Sequence, residues 1–143
     1  PADGGRPLLV VGAGKLGLRV ARLWKEQEGC QTPVYAVIRR LDQERDALLR
    51  ERGLTPCLKG DPALPAQCSH IVFCVPPGQK ASDLLLYSGA ISSALGLWDH
   101  KADGASFVFT SSVGVYAEKD GEIVTEQSLA AETLRAMRLH AAE

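Results

Sequence analysis

The sequence predicts an α/β fold built on a doubly wound parallel sheet, and three observations carry that expectation. Short, strongly apolar runs alternate with helix-like segments along the chain, as βαβ units do. The first apolar run, Leu8 to Val11, leads directly into Gly12-Ala13-Gly14-Lys15-Leu16-Gly17. The runs are apolar on both faces, as strands covered by helices on either side must be. With 143 residues and 45% apolar content, the chain fits one ordinary globular domain with a sizeable core.

Each element has its own signal. After the first strand, Leu16, Val20, Leu23 and Trp24 recur along an amphipathic helix. Gly29 and Pro33 punctuate, and Val34-Tyr35-Ala36-Val37-Ile38 reads as a second buried strand ending in Arg39-Arg40. Asp42 is placed to cap a helix running to Arg52, Gly53 stops it, and Leu54 to Leu58 makes a third strand. The connector from Pro62 to Gln67 is too short and proline-rich for a full helix. Ile71-Val72-Phe73-Cys74-Val75 is a fourth strand, closed by Pro76-Pro77-Gly78, which cannot continue a ladder. A long apolar-rich helix from Ala81 to Trp98 and a fifth strand, Ser106 to Thr110, follow. Beyond Tyr116, the turn Glu118-Lys119-Asp120-Gly121 leads to Ile123-Val124 and then to a final helix starting near Ser128.

Composition narrows the classes of partner. No apolar run approaches the ~20 residues of a transmembrane helix, and a net charge of −1 gives no electrostatic reason to expect nucleic acid. Small molecules are the expected ligands. Cys30, Cys57, Cys68 and Cys74 lie in or beside apolar runs with no C-x-x-C pair, which favours reduced thiols in a reducing compartment. Cys68-x-His70-x-x-x-Cys74 lacks a fourth ligand, so no metal site is expected. His100 and His140 have no carboxylate or nucleophile nearby in sequence. The chain begins at Pro1 without a hydrophobic signal core, which suggests a processed or trimmed, soluble protein. Its compartment would be the cytoplasm or, after presequence removal, a plastid or mitochondrion.

The glycine loop implies a dinucleotide. Gly12 permits the tight turn off the strand, Gly14 lets the backbone approach a pyrophosphate, and Gly17 allows helix and strand to pack closely. The anion would meet N–H groups and the positive end of a helix dipole at Lys15 and Leu16. A structural glycine turn is the alternative. The domain is therefore expected to be Rossmann-type, with residues 1–143 forming one NAD(P)-binding unit. Where NAD-preferring units carry an acid, this chain has Arg39 and Arg40, which fit a 2′-phosphate and an adenine face and favour NADP over NAD. Two solvated arginines at a strand end are the bland alternative. Asp61, after the third strand, is a candidate acceptor for the adenine amino group, and Val75 and Pro76 are candidate cofactor contacts after the fourth.

Phe107-Val108-Phe109-Thr110-Ser111-Ser112-Val113-Gly114-Val115-Tyr116 resembles the fifth strand and following loop of extended and atypical short-chain dehydrogenases/reductases. Together with the glycine loop, Arg39, Gly60-Asp61, Gly121, Val124-x-Glu126 and Arg135-x-x-Arg138-Leu139-x-x-Ala142-Glu143, it is most similar to the NAD(P)-dependent epimerase/dehydratase-like proteins of the YeeZ type. That resemblance implies an active-site role for Ser112, whose hydroxyl would donate to a substrate oxygen. A serine satisfying loose backbone groups is the competing reading.

Two departures accompany the resemblance. Active members carry Tyr-x-x-x-Lys on the helix after this loop, one helical face holding a proton-transferring phenol and the ammonium that tunes it. Here the aligned positions are Arg135 and Leu139, and neither can do that work. Tyr116 followed by Lys119 is no substitute, because the interval is three within a glycine-containing turn, and Lys80 and Tyr87 only flank the cofactor side. Relatives also continue into a sixth strand and a C-terminal substrate lobe that this chain lacks, so it is expected to be the N-terminal part of a longer architecture.

The expected function is thus a dinucleotide-binding protein with weak or no turnover, a cofactor-binding or structural partner. The alternative is an active NADP-dependent reductase, epimerase or dehydratase using Ser112 and a non-standard acid/base residue. Val75-Pro76-Pro77 also resembles prephenate-dehydrogenase-like enzymes, against which the Ser111-Ser112 loop argues. An uncovered sheet edge would suit a homo-oligomer or a larger assembly.

Overall fold

A computed structural model describes residues 5–78, 83–118, 120–133, 136–137, 139 and 141. Among the described residues, strands and helices follow one another as β1 (Leu8–Val11), α1 (Lys15–Glu28), β2 (Val34–Ile38), α2 (Gln43–Glu51), β3 (Thr55–Leu58), β4 (His70–Phe73), α3 (Asp83–Gly96) and β5 (Ser106–Phe109). A single 3-10 turn, Val113–Val115, comes after β5. All five strands run parallel in the order β3-β2-β1-β4-β5, with Leu8 facing Val34 on one side and His70 on the other. The sheet is therefore of the doubly wound, Rossmann type, its order reversing between β1 and β4.

Strand alternation sorts the core into two layers. Leu8, Val10, Val34, Ala36, Ile38 and Val72 pack with Ala21 of α1 and Leu49 of α2 on one face. Leu9, Val11, Ile71 and Phe73 pack with Tyr87, Ile91 and Ala94 of α3 on the other, joined by Val115 and Leu139. β1 is buried at all four positions because both neighbours and both layers cover it. β5 is the edge strand, and its Val108 is half exposed.

Three boundaries differ from the sequence expectation. β4 ends at Phe73 rather than Val75, because Pro76 and Pro77 offer no N–H for a ladder. The helix after β4 ends at Gly96, and Trp98 instead bridges Cys68. No helix starts at Ser128, whose hydroxyl accepts from the Thr125 N–H in a turn while Ala130 bridges Tyr116. Ala136 and Met137 are helical, and the Ala136 N–H donates to the Thr133 hydroxyl.

Candidate nucleotide cleft

The loop between β1 and α1 uses its three glycines differently. Gly12 has φ +95°, and a Cβ there would lie 2.9 Å from the Cys74 carbonyl carbon and the Val75 nitrogen. A Cβ on Gly17 would lie 2.5 Å from the Gly12 carbonyl oxygen and 2.8 Å from Val10 Cγ1. The fold itself excludes a side chain at both positions. Gly14 is unlike them, with φ −82° and nothing within 4 Å of its absent Cβ. Packing does not require a glycine there; the bare backbone opens into free space.

That space belongs to a cleft of about 530 Å³ at the carboxyl ends of β1, β2 and β4. Gly12, Ala13 and Gly14 form one wall, Arg39, Arg40 and Arg45 another, and Cys74, Val75 and Pro76 a third. Its volume falls in the range of small-molecule sites, and it lies where ligands of open α/β sheets bind, beside the reversal of strand order. α1 begins here with Gly14 as N-cap, no side-chain cap and no acid in its first turn. The dipole end of the helix thus meets the cleft without a carboxylate of its own.

Across the cleft, α2 is closed by its own side chains. Asp42 Oδ1 accepts from the Arg45 N–H at 3.0 Å, and the Asp42 N–H donates to Asp46 Oδ2 at 3.3 Å. This reciprocal cap fixes the turn that carries Arg39 and Arg40. From the same turn of helix, Arg45 reaches back to donate to the Ala13 carbonyl at 3.4 Å. Arg45 was not anticipated from sequence, because its partner lies 32 residues away. Among the described residues, none of the three arginines has an ion-pair partner.

Of the residues expected to bind cofactor, Gly12, Gly14, Arg39, Arg40, Val75 and Pro76 line this cleft, and Gly17 packs behind it. Lys15 and Leu16 line a separate open groove between α1 and the turn from α2 to β3, where Arg52 and Leu54 form the other side. Asp61 is not in the cleft lining; its Oδ1 accepts from the Ala63 N–H at 2.8 Å, closing the turn after β3.

The residues singled out for chemistry lie outside the cleft lining or outside the described residues. Ser112 is half buried, and its Oγ accepts from the Gly114 N–H at 3.2 Å at the start of the 3-10 turn. Tyr116 is half buried beside Ala130, and the Thr110 hydroxyl donates to the Phe73 carbonyl. Leu139 is wholly buried in the α3-side core. Arg135, Arg138, His140, Lys80 and Lys119 lie outside the described residues.

Titrating groups of the sheet respond mainly to burial. In the cleft, burial pushes the Cys74 thiol up against an opposing hydrogen bond with Thr110. Burial also raises the thiols of Cys57 and Cys68, the latter directed at the Pro7 and His70 carbonyls. His70, at the far end of β4, is held below its usual range by burial and then by Arg6, with Glu28 opposing. Its Nδ1 pairs with Ser106 Oγ at 2.9 Å, and its ring lies against Trp24. Among the described residues, no group of three His, Cys, Asp or Glu side chains could hold a metal, and no helix is long and apolar enough to cross a membrane.

No family model and no curated protein matches the chain. Among solved structures, it is similar to the apo-structure of D-lactate dehydrogenase from Escherichia coli, with TM-score 0.46 and 19% identity over 76% of this chain and 29% of that one. It is also similar to the apo form of D-mandelate dehydrogenase from Rhodotorula graminis, with TM-score 0.44 and 17% identity over 76% of this chain and 28% of that one. The chain thus spans 29% and 28% of the lengths of these two proteins. The Rossmann-type fold itself is given by the strand order and the division of the core into two layers around one parallel sheet.

Proposed function

We propose that the cleft binds an adenine dinucleotide, with the pyrophosphate against the start of α1 and NADP(H) preferred over NAD(H). The observation that carries this reading is Gly14. Its missing side chain meets no protein atom, so packing does not demand a glycine there, and the bare main chain beside the cleft suits a ligand that approaches it. Arg39 and Arg40 support the preference, since a guanidinium pairs with a phosphate monoester through a donor fork and offers a flat face to adenine. A bound nicotinamide would supply hydride chemistry; this chain's own residues would hold the adenosine half and keep the diphosphate against N–H groups.

Turnover is expected to be weak or absent. The chain is read as a relative of the atypical short-chain dehydrogenases/reductases whose Tyr-x-x-x-Lys positions carry Arg135 and Leu139. Leu139 sits in the core with Phe73 and Tyr87, a place from which no side chain serves a ribose. A cofactor-binding or structural partner role follows, in a homo-oligomer or with further chain covering the edge at β5. Calorimetric titration with NADPH and NADH tests the reading. The native chain should bind NADPH, and Gly14→Val should lose it while staying folded, with only the small fall in melting temperature of a poorer N-cap. Unchanged affinity in that variant rejects the pyrophosphate site. Robust carbonyl or nucleotide-sugar turnover abolished by Ser112→Ala would instead establish the active-enzyme alternative.

A further inference from the structure

The cleft holds more positive charge than a diphosphate needs. Its lining contains Arg39, Arg40 and Arg45 and no acidic residue. Of the acids nearest in sequence, Asp42 caps α2, buried Asp46 accepts from the Asp42 N–H through Oδ2, and exposed Glu44 lies outside the cleft lining. Arg39 and Arg40 leave from the end of β2, whereas Arg45 comes from the first turn of α2 and crosses to the carbonyl of Ala13. At 3.4 Å that bond is long for an N–H donor, so the guanidinium is held over the cleft but only weakly engaged. Its backbone is fixed, because its own N–H is the one that Asp42 accepts.

From this geometry we infer that Arg45 determines ligand specificity, by pairing with a second phosphate on the adenosine ribose and coupling that phosphate to the glycine loop. The inference rests on the dinucleotide reading and adds to it a residue on α2, a ligand class and a direction of coupling. A ribose phosphate monoester brings a nearly double negative charge and three acceptor oxygens to the arginine wall. Arg45 exchanges a weak neutral acceptor, the Ala13 carbonyl, for a strong anionic one. The same side chain touches the loop that faces the diphosphate, so occupation of one end is felt at the other.

The test is calorimetric titration of the full chain with NADPH, NADH, adenosine 2′,5′-bisphosphate and ADP, for the native protein, Arg45→Gln and Arg45→Lys. Arg45→Gln preserves the α2 cap, which uses the main-chain N–H, so its melting temperature should match the native one. It should weaken NADPH and the bisphosphate by roughly tenfold to a hundredfold, the worth of a charge-assisted hydrogen bond. NADH and ADP should change less than about threefold, well under one such bond, and Arg45→Lys should recover part of the loss. Equal weakening of all four ligands, or of none, overturns the role of Arg45 while leaving the dinucleotide reading standing. A native chain that binds none of the four overturns both.

Discussion

α1 and α2 start at the same edge of the sheet and pack on the same face, yet their first turns are built in opposite ways. α2 has a capping carboxylate, Asp42, and two acids, Glu44 and Asp46, beside its free N–H groups. α1 has a glycine cap, no acid and a lysine as its first helical residue. Both starts carry the same partial positive charge, and only α2 neutralises it internally. The stabilisation that α2 takes from Asp42 is forgone at α1, where an external anion would supply it. The difference teaches that the start of α1 is shaped for something other than helix stability.

The sharpest way to break the comparison is to put the same side chain at two glycines of one loop. Gly17→Val should destabilise the protein by about 3 kcal/mol, because its Cβ meets the Gly12 carbonyl and Val10 inside packed structure. Gly14→Val should cost no more than about 1 kcal/mol, the usual difference between a good and a poor N-cap, since its Cβ meets nothing and its backbone is extended. Chemical denaturation of the two variants reads the contrast directly. Comparable losses would mean that Gly14 too is a packing glycine, and the argument for an open loop would fail.

Much of this contrast was legible before any coordinates. Short apolar runs bounded by Gly and Pro located every strand, and the glycine spacing located the loop, because both are local signals. Asp42 was likewise readable as a cap, a property of one residue and the three after it. What lay beyond the sequence depended on distant partners. Arg45 needed Ala13, 32 residues away, to reveal its place. Ser128 and Thr133 are equally good caps by residue type, and the choice between them goes with the pairing of Tyr116 and Ala130.

Exchanging the two helix starts sharpens the comparison at smaller energies. Asp42→Ala should cost about 1 kcal/mol of stability, the usual loss for a cap. It should also weaken NADPH, because the turn holding Arg39 and Arg40 loses its anchor. Gly14→Asp is the reverse experiment: a carboxylate at an extended N-cap with room around it should stabilise by about 0.5 kcal/mol. The same carboxylate should abolish dinucleotide affinity by occupying the N–H groups and repelling the diphosphate. A variant that is more stable and still binds would show that the anion, if any, sits elsewhere.

The smallest effect is expected at the opposite end of the sheet, where α1 finishes and the surrounding polar side chains, apart from the unpartnered His70 Nε2, are paired within the chain. Trp24 donates to the Arg6 carbonyl, Arg6 pairs with Glu28, and His70 lies against Trp24 with Nδ1 on Ser106. Because burial, with help from Arg6, lowers the His70 pKa in the folded protein, the unfolded chain takes up this proton first as pH falls. Its contribution to stability is therefore complete above about pH 6.5, the ordinary histidine value, and declines as pH drops through that value toward the folded one. The Glu28 carboxyl, lowered by its hydrogen bonds with Arg6, adds its own loss only in the more acidic carboxylate range. Melting temperature followed from pH 7 to pH 5 (about one and a half units below the ordinary histidine value) should thus fall in the native chain and stay flatter in His70→Gln. Dinucleotide affinity per folded molecule should be the same in both, since His70 sits at the amino end of β4 and the cleft begins beyond its carboxyl end. A His70 variant that lost affinity without losing stability would join the two ends of the sheet, and the division between a satisfied end and an open one would have to be given up.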